Sequence, residues 1–277
     1  MLKYLGVSRS GYNAWLNRKP SATEIRRKAI KDKIMDIYNE SHQIYGAPKI
    51  RMKLLRDGES IAERTVSKFM KDLGIRAIWV KPWTVTTKNS NFSKKLHNIL
   101  KEQFNPAHPN AVWCTDITYI WTLDGFVYLT SIMDLFSRKI IAWTLSKDMS
   151  VQCVIETIEK AKAARHITSP LIIHSDRGSQ YISKEYIKAT QKMKRSYSKK
   201  AYPYDNACIE SFHALIKREW LDRMRIFDYN QAYKLVFEYI EAFYNTVRIH
   251  SHCNYMSPME FEEVYEIIKK SIKNIAC

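Results

Sequence analysis

Hydrophobic positions along this chain repeat at helical spacing first, at strand spacing in the middle, and at helical spacing again towards the end. Ile30, Ile34, Ile37 and Tyr38 fall at i, i+4, i+7 and i+8, one face of a helix. Tyr45-Gly46 interrupts that face, and Pro48 suits the first turn of a second helix carrying Ile50, Leu54 and Leu55, which Asp57-Gly58 ends. Ser60-Ile-Ala-Glu63 has capping-box spacing and predicts a third helix, with Val66, Phe69, Met70 and Leu73 inward and Gly74 at its close. Residues 113–121, 126–136 and 139–145 then read as three β-type runs. They are split only by Leu123-Asp-Gly125 and Ser137-Arg138, links short enough to predict antiparallel neighbours. Ser150 predicts the cap of a helix with Val151, Val154, Ile155 and Ile158 on one face, and 171–175 a fourth strand, parallel through a right-handed crossover. A helix over 183–193, a short strand near 195–198 and a helix from 207 complete a mixed α/β unit. Asp228 to Gln231 opens a further helix with Ala232, Leu235, Val236, Tyr239, Ile240 and Phe243 aligned, and Ser257-Pro-Met-Glu260 caps the last one.

These patterns divide the chain into a small all-α region over 1–75, a connector over 76–110, an α/β core over 111–225 and a C-terminal helical extension over 226–277. The connector holds Lys81-Pro82, the polar stretch Thr84 to Lys95, Pro106 and Pro109, with little to build a core of its own. Charge adds a partner. The 277 residues carry a net charge of +17, and residues 1–95 hold 21 Lys and Arg against 8 Asp and Glu. A basic surplus concentrated in one third points to contact with phosphates. Arg64, Lys68 and Lys71 project opposite the apolar stripe of the third helix. There they either contact DNA, as in a helix-turn-helix module, or form a solvated face. The five cysteines include no Cys-x-x-Cys pair, no segment is apolar enough to span a membrane, and the N-terminus lacks signal-peptide shape. A cytoplasmic protein with no membrane partner is expected.

Three carboxylates stand out. Asp116 lies in Trp113-Cys-Thr-Asp-Ile-Thr-Tyr-Ile-Trp121, Asp176 in His174-Ser-Asp-Arg-Gly-Ser-Gln-Tyr181, and Glu210 in Asp205-Asn-Ala-Cys-Ile-Glu-Ser-Phe212. The first two interrupt strand-like runs, where an ionised group is costly to bury without a partner. Asp176 falls at the carboxyl end of a strand, where α/β sheets open a crevice, and Glu210 in the first turn of a helix, where the dipole favours its charged form. Oxygen ligands suit Mg²⁺ or Mn²⁺, and a pair of such ions about 4 Å apart would activate attacking and leaving oxygens of a phosphodiester. Lys217, seven residues beyond Glu210, and His213 beside it are expected to face incoming DNA. His174 is either a supporting partner of Asp176 or a core histidine. Asp134 is either an extra acid or the brace of the next turn. Tyr244 and Arg248 either contact DNA or pack. His250-Ser-His-Cys253 lacks the second ligand pair of a zinc site.

With these residues in view, the chain resembles transposases of the insertion sequence three family, specifically the second-reading-frame product with an integrase catalytic core. The resemblance rests on Leu5-Gly-Val-Ser-Arg-Ser-Gly-Tyr12 with Trp15, Tyr45-Gly46, Asp116-Ile-Thr-Tyr119, Met133-Asp-Leu-Phe-Ser-Arg138, and His174-Ser-Asp176 with Gly178-Ser-Gln-Tyr181. It rests equally on Pro203-Tyr-Asp-Asn-Ala207 with Glu210-Ser211, and on Tyr244-Asn245, Arg248, His250 and Ser257-Pro258. It implies an RNase H-like fold with a five-stranded mixed sheet and a catalytic triad of Asp116, Asp176 and Glu210. It also implies Lys217 as a DNA-contacting position and 3′-end cleavage followed by strand transfer with no covalent enzyme intermediate. Tyr181, Tyr197 and Ser211 are then not nucleophiles. Double-stranded DNA, a first-frame partner protein and further copies of the chain on DNA are the implied partners, in a bacterial, nucleoid-associated setting. An inactive remnant or regulator of transposition, and a related RNase H-like nuclease, are the alternatives. Asp176 and Glu210 are 34 positions apart, two fewer than is usual in the family, and the shortening falls between Tyr186 and Ser196. Ala201 stands where the family commonly has Gly, and Cys253 where Leu is common.

Overall fold

A computed structural model describes residue 4 and residues 6–78, 96–199 and 203–275. The polar stretch Thr84 to Lys95 and Ala201 lie outside the described residues. The chain forms two compact units, 1–78 and 79–277.

The first unit is helical: α1 Arg9–Leu16, α2 Ala22–Glu40, α3 Ala47–Arg56 and α4 Glu63–Asp72. The predicted apolar faces are the buried ones, with Ile30, Ile34, Ile37, Ile50, Leu54, Val66, Phe69 and Met70 packed inside. Gly74 closes α4 at φ +69°, and the Ile75 N–H reaches back to the Met70 carbonyl at 3.0 Å, a left-handed ending that suits glycine. The start of α4 differs from expectation. Ala62, not Ser60, is its N-cap and supplies no side-chain acceptor, so the Ser60–Glu63 capping box does not form. Arg64, Lys68 and Lys71 are exposed on α4.

The second unit is built on a five-stranded sheet in the order β3-β2-β1-β4-β5. Its strands are β1 Val112–Thr122, β2 Gly125–Asp134, β3 Ile140–Ser146, β4 Ile172–Ser175 and β5 Lys194–Tyr197. β1, β2 and β3 are antiparallel neighbours, whereas β4 runs parallel to β1 and to β5, the RNase H-like arrangement. The crossover helix α5 Val151–Ala164 covers one face, with Val154, Ile158 and Ala161 packed on Trp113, Ile132, Ala142 and Ile173. Ser150 precedes α5 without capping it through its side chain. α6 Lys184–Ala189 has only 6 residues, shorter than the predicted 183–193. α7 Ala207–Glu219 carries Glu210. α8 Tyr229–Phe237 continues through a wider π-helical stretch, Glu238–Tyr244, and α9 Pro258–Ile275 ends the described chain. Ser257 and Glu260 form the expected reciprocal cap of α9.

Asp134 braces the turn and is not an extra site acid. It is fully buried, its carboxylate accepts the Asn110 and Phe136 N–H groups at 2.7 and 3.0 Å, and burial pushes its pKa up to about 6. Among the described residues no helix is long and apolar enough to cross a membrane.

Candidate active site

Strand register brings the first two acids together. In the parallel pairing Cys114 lies opposite His174, so continuing the same offset sets Asp116 level with Asp176, just beyond the end of β4. Neighbouring strands are about 4.8 Å apart, and no side chain longer than an aspartate is needed to share that space. Glu210 enters from the first turn of α7, whose Ile209, Phe212 and Ile216 are buried.

The electrostatics record this convergence. Burial, and then the Asp116 charge, raises Asp176 to about 6, although its Oδ1 accepts the Gly178 N–H at 2.9 Å. Burial, followed by Asp116 and Asp176, raises Glu210 to about 7. Like charges held this close favour protonation of some members unless a cation neutralises them. Asp176 and Glu210 keep exposed sides, so the cluster opens to solvent. The donor chemistry, carboxylate oxygens without sulfur, suits a hard divalent cation. Among the described residues, no three His, Cys, Asp or Glu side chains are already drawn to metal-holding spacing.

The surroundings fix Asp116 more than the others. The His213 ring, only 5 % exposed, sits 3.4 Å from Asp116 Oδ2 through Nδ1 and 3.4 Å from Ser131 Oγ through Nε2. His213, expected to face DNA, therefore points inward; it lies on the side of α7 packed over β1 and β2. Tyr181 is buried, its hydroxyl 3.4 Å from Thr115 Oγ1, and burial followed by the two aspartates pushes its pKa far up, which disfavours a phenolate.

Three other expected residues fall in distinct settings. His174 is fully buried between Ser196 Oγ at 2.9 Å and Ser198 Oγ at 3.2 Å, and burial lowers its pKa to about 4. It ties β4 to β5 behind Asp176. Lys217 lies two turns further along α7 than Glu210, its Nζ 4.1 Å from the centre of the Tyr119 ring, and burial lowers its pKa. It lines an open cavity of about 470 Å³ with Tyr119, Trp121, Leu123 and Arg225. Arg248 is not at the surface. It is 5 % exposed and grips Glu219 at the end of α7 in a two-pronged pair, Nη2 to Oε1 at 2.6 Å and Nε to Oε2 at 2.7 Å. The Tyr239 hydroxyl donates to the same carboxylate at 2.8 Å. A phosphate cannot reach this guanidinium, because the π-helical stretch and α7 enclose it.

Sequence reasoning missed Glu219 as the anchor of Arg248 and the exposed aromatic pair Tyr119 and Trp121. Alternation along β1 was the available signal for the latter, since it places both on the side opposite Asp116. No local signal marked Glu219, which sits among charged residues typical of a solvated helix end.

Comparison with known proteins finds matches to both parts of the chain. The HTH-like domain matches residues 24–83, and two integrase core domain families match residues 106–203 and 191–258. Among solved structures, the chain is similar to the HTLV-2 integrase catalytic core domain in complex with magnesium, at 18% identity, covering 56% of this chain and 98% of that one with a TM-score of 0.43. It is 34% identical to the transposase for insertion sequence element IS904 of Lactococcus lactis, over 90% of this chain and 99% of that protein. It is 32% identical to transposase InsF for insertion sequence IS3A of Escherichia coli, over 95% of this chain and 92% of that protein. At that identity over nearly the full length of both proteins, the chain belongs to the IS3 family of insertion-sequence transposases, an HTH-like domain followed by an integrase core.

Proposed function

We propose that Asp116, Asp176 and Glu210 are the catalytic carboxylates of this transposase and bind Mg²⁺ or Mn²⁺ while it cuts the 3′ ends of an insertion element and joins them to target DNA. The observation that carries this reading is the approach of the three acids, from a strand, a strand end and a helix start, close enough that, beyond burial, Asp116 raises the proton affinity of Asp176 and both aspartates raise that of Glu210. When bound, divalent ions supply Lewis-acid activation of the attacking oxygen and stabilisation of the leaving oxygen. The chain's own groups do the positioning. His213 holds the Asp116 carboxylate against β1, the Gly178 N–H orients Asp176, and the first turn of α7 presents Glu210. Lys217, stacked on Tyr119 further along β1, suits a phosphate of the DNA strand, and the Tyr119 ring a sugar or base beside it. Arg64, Lys68 and Lys71, exposed on α4 of the HTH-like unit, neutralise phosphates of the element ends. Water and then a DNA 3′-hydroxyl are the nucleophiles, consistent with buried, protonated Tyr181. A first-frame protein and further copies of this chain complete the assembly on DNA.

The test is Asp176→Asn. Element-end DNA binding is expected to stay within about twofold of wild type, while 3′-end cleavage and strand transfer are lost. Cleavage of an RNA–DNA hybrid in place of element ends would reassign the activity, and retained joining would remove Asp176 from the chemistry.

A further inference from the structure

β1 outruns its neighbour. β4 ends at Ser175 and pairs only with Val112 to Cys114, whereas β1 continues to Thr122. The edge of β1 on that side is therefore free from the acids onward. It is closed at the far end by Leu123 and Asp124, whose N–H groups donate to the Ile226 and Phe227 carbonyls at 2.9 and 3.2 Å. Thr122 and Gly125 flank a two-residue hairpin turn, so the even-numbered residues of β1 bond to β2. The N–H and C=O groups of Ile117, Tyr119 and Trp121 point the other way, to the free edge, where no described strand pairs with them.

A cavity of about 470 Å³ runs along this edge. The consecutive residues Tyr119, Ile120 and Trp121 all line it, which only an edge-on approach to a strand allows. Its other wall carries Lys217 and Arg225 against the single acid Asp222. α7 lies on the Asp116 side of the sheet, where His213 meets that carboxylate, and Lys217 reaches round the edge to the Tyr119 ring. Tyr119 and Trp121 are each 59% exposed. Phe126, on β2, packs across both at 5.4 and 4.8 Å between ring centres, with interplanar angles of 83° and 72°. That cross-strand packing braces the two rings yet leaves more than half of each residue in water.

Exposed rings alone would suit a protein strand as well as a nucleic acid. Two observations favour the nucleic acid. Cations stand beside the rings, as phosphates require next to stacked bases. The free edge also begins at the acids. A DNA strand leaving Asp116 and Asp176 along β1 meets Tyr119 about 10 Å on and Trp121 about 17 Å on, at ~3.3 Å per residue. At ~3.4 Å per nucleotide, that is about three to five nucleotides. Paired bases already lie between their neighbours and have no face to offer a protein ring. A cavity of this volume admits a nucleotide and not a duplex.

We propose that Tyr119 and Trp121, with Arg225 opposite them, form a stacking subsite for an unpaired base about three to five nucleotides from the phosphodiester that is cut. The distance rests on the assignment of the three acids as the cutting site; the stacking does not.

Binding of two ten-nucleotide single strands to the full-length protein in chelator tests the stacking apart from the chemistry. One is oligothymidylate, the other an abasic strand with the same phosphates and no bases. Wild type is expected to prefer oligothymidylate about tenfold, and Trp121→Phe to keep most of that preference. Trp121→Ala is expected to reduce it to within about twofold, with the salt slope unchanged. Placement is tested on element-end DNA carrying one iododeoxyuridine at a time, which cross-links under ultraviolet light to a ring stacked on it. Cross-links to Tyr119 or Trp121 are expected only from positions within about five nucleotides of the cut. A base preference absent from wild type, or one that survives Trp121→Ala combined with Tyr119→Ala, overturns the subsite. Loss of self-association in Trp121→Ala with base preference intact gives the edge to a protein strand and also overturns it. Lost preference in Trp121→Ala with cross-links only from farther positions supports the stacking and overturns its placement beside the acids.

Discussion

Replacing Arg248 by Met separates an internal strut from a DNA contact. The two-pronged pair with Glu219 has both side chains 6% exposed, and its contacts at 2.6 and 2.7 Å leave no room for water between them. Methionine keeps most of the packing volume but removes the guanidinium that neutralises Glu219. Breaking a buried pair from one side costs about 3–5 kcal/mol. At roughly 2–4 °C per kcal/mol for a unit of this size, melting should fall by about 10 °C. A surface arginine that touches phosphate would instead shift stability by about 0.5 kcal/mol or less and lower the salt slope of DNA binding by about one. Adding Glu219→Gln to Arg248→Met removes the charge that Arg248 paired while leaving an acceptor for Tyr239, and should recover more than half of the loss. The assay is thermal melting of the three variants beside fluorescence anisotropy against salt. A melting shift under 2 °C for Arg248→Met, together with a reduced salt slope, would refute the strut.

Two further outcomes follow from the acid cluster and its approach. Burial and neighbouring charge raise the folded-state pKa of Asp176 to about 6 and of Glu210 to about 7, above the unfolded values. The native state therefore binds extra protons between about pH 4 and pH 7, and in metal-free protein these acids cost stability increasingly as pH rises through that window. A shift of about two units corresponds to about 3 kcal/mol for a fully buried group, and exposure of Asp176 reduces this to about 1 kcal/mol. Asp176→Asn should thus melt higher than wild type at pH 7.5 in chelator and equal to it at pH 4; buried His174 acts in the opposite sense in both proteins and cancels. Equal melting at both pH values would reject the cluster electrostatics. Lys217→Ala should weaken element-end binding about threefold to tenfold and lower the salt slope by about one. An unchanged slope would show that Lys217 only packs on Tyr119.

The sheet was legible because its strands are bounded by short turns, and because an acid inside a run such as Trp113 to Trp121 is costly enough to be conspicuous. The parallel direction of β4 followed from the intervening α5, but its place beside β1, which juxtaposes Asp116 and Asp176, did not, because α5 leaves β3 and the crossover passes over β2 and β1. Side-chain environment was less legible. His213 and Arg248 are polar residues on helices, and periodicity alone does not tell a solvated side from one that meets a polar group on a neighbouring element. His213 is buried because Asp116 and Ser131 receive it, and Arg248 because Glu219 does. Both partners are distant in sequence. The start of α4 was misplaced for a simpler reason, since Ser60 offers a capping side chain that the backbone passes by before turning helical at Glu63.

Anomalous diffraction from crystals of the full-length protein soaked in Mn²⁺ tests the triad most directly. The account expects manganese within about 2.2 Å of carboxylate oxygens from both Asp116 and Asp176, with Glu210 completing the site and the signal lost in Asp176→Asn. Manganese bound elsewhere at full occupancy, or a site that persists in Asp176→Asn without Asp116 and Glu210 as ligands, would contradict it.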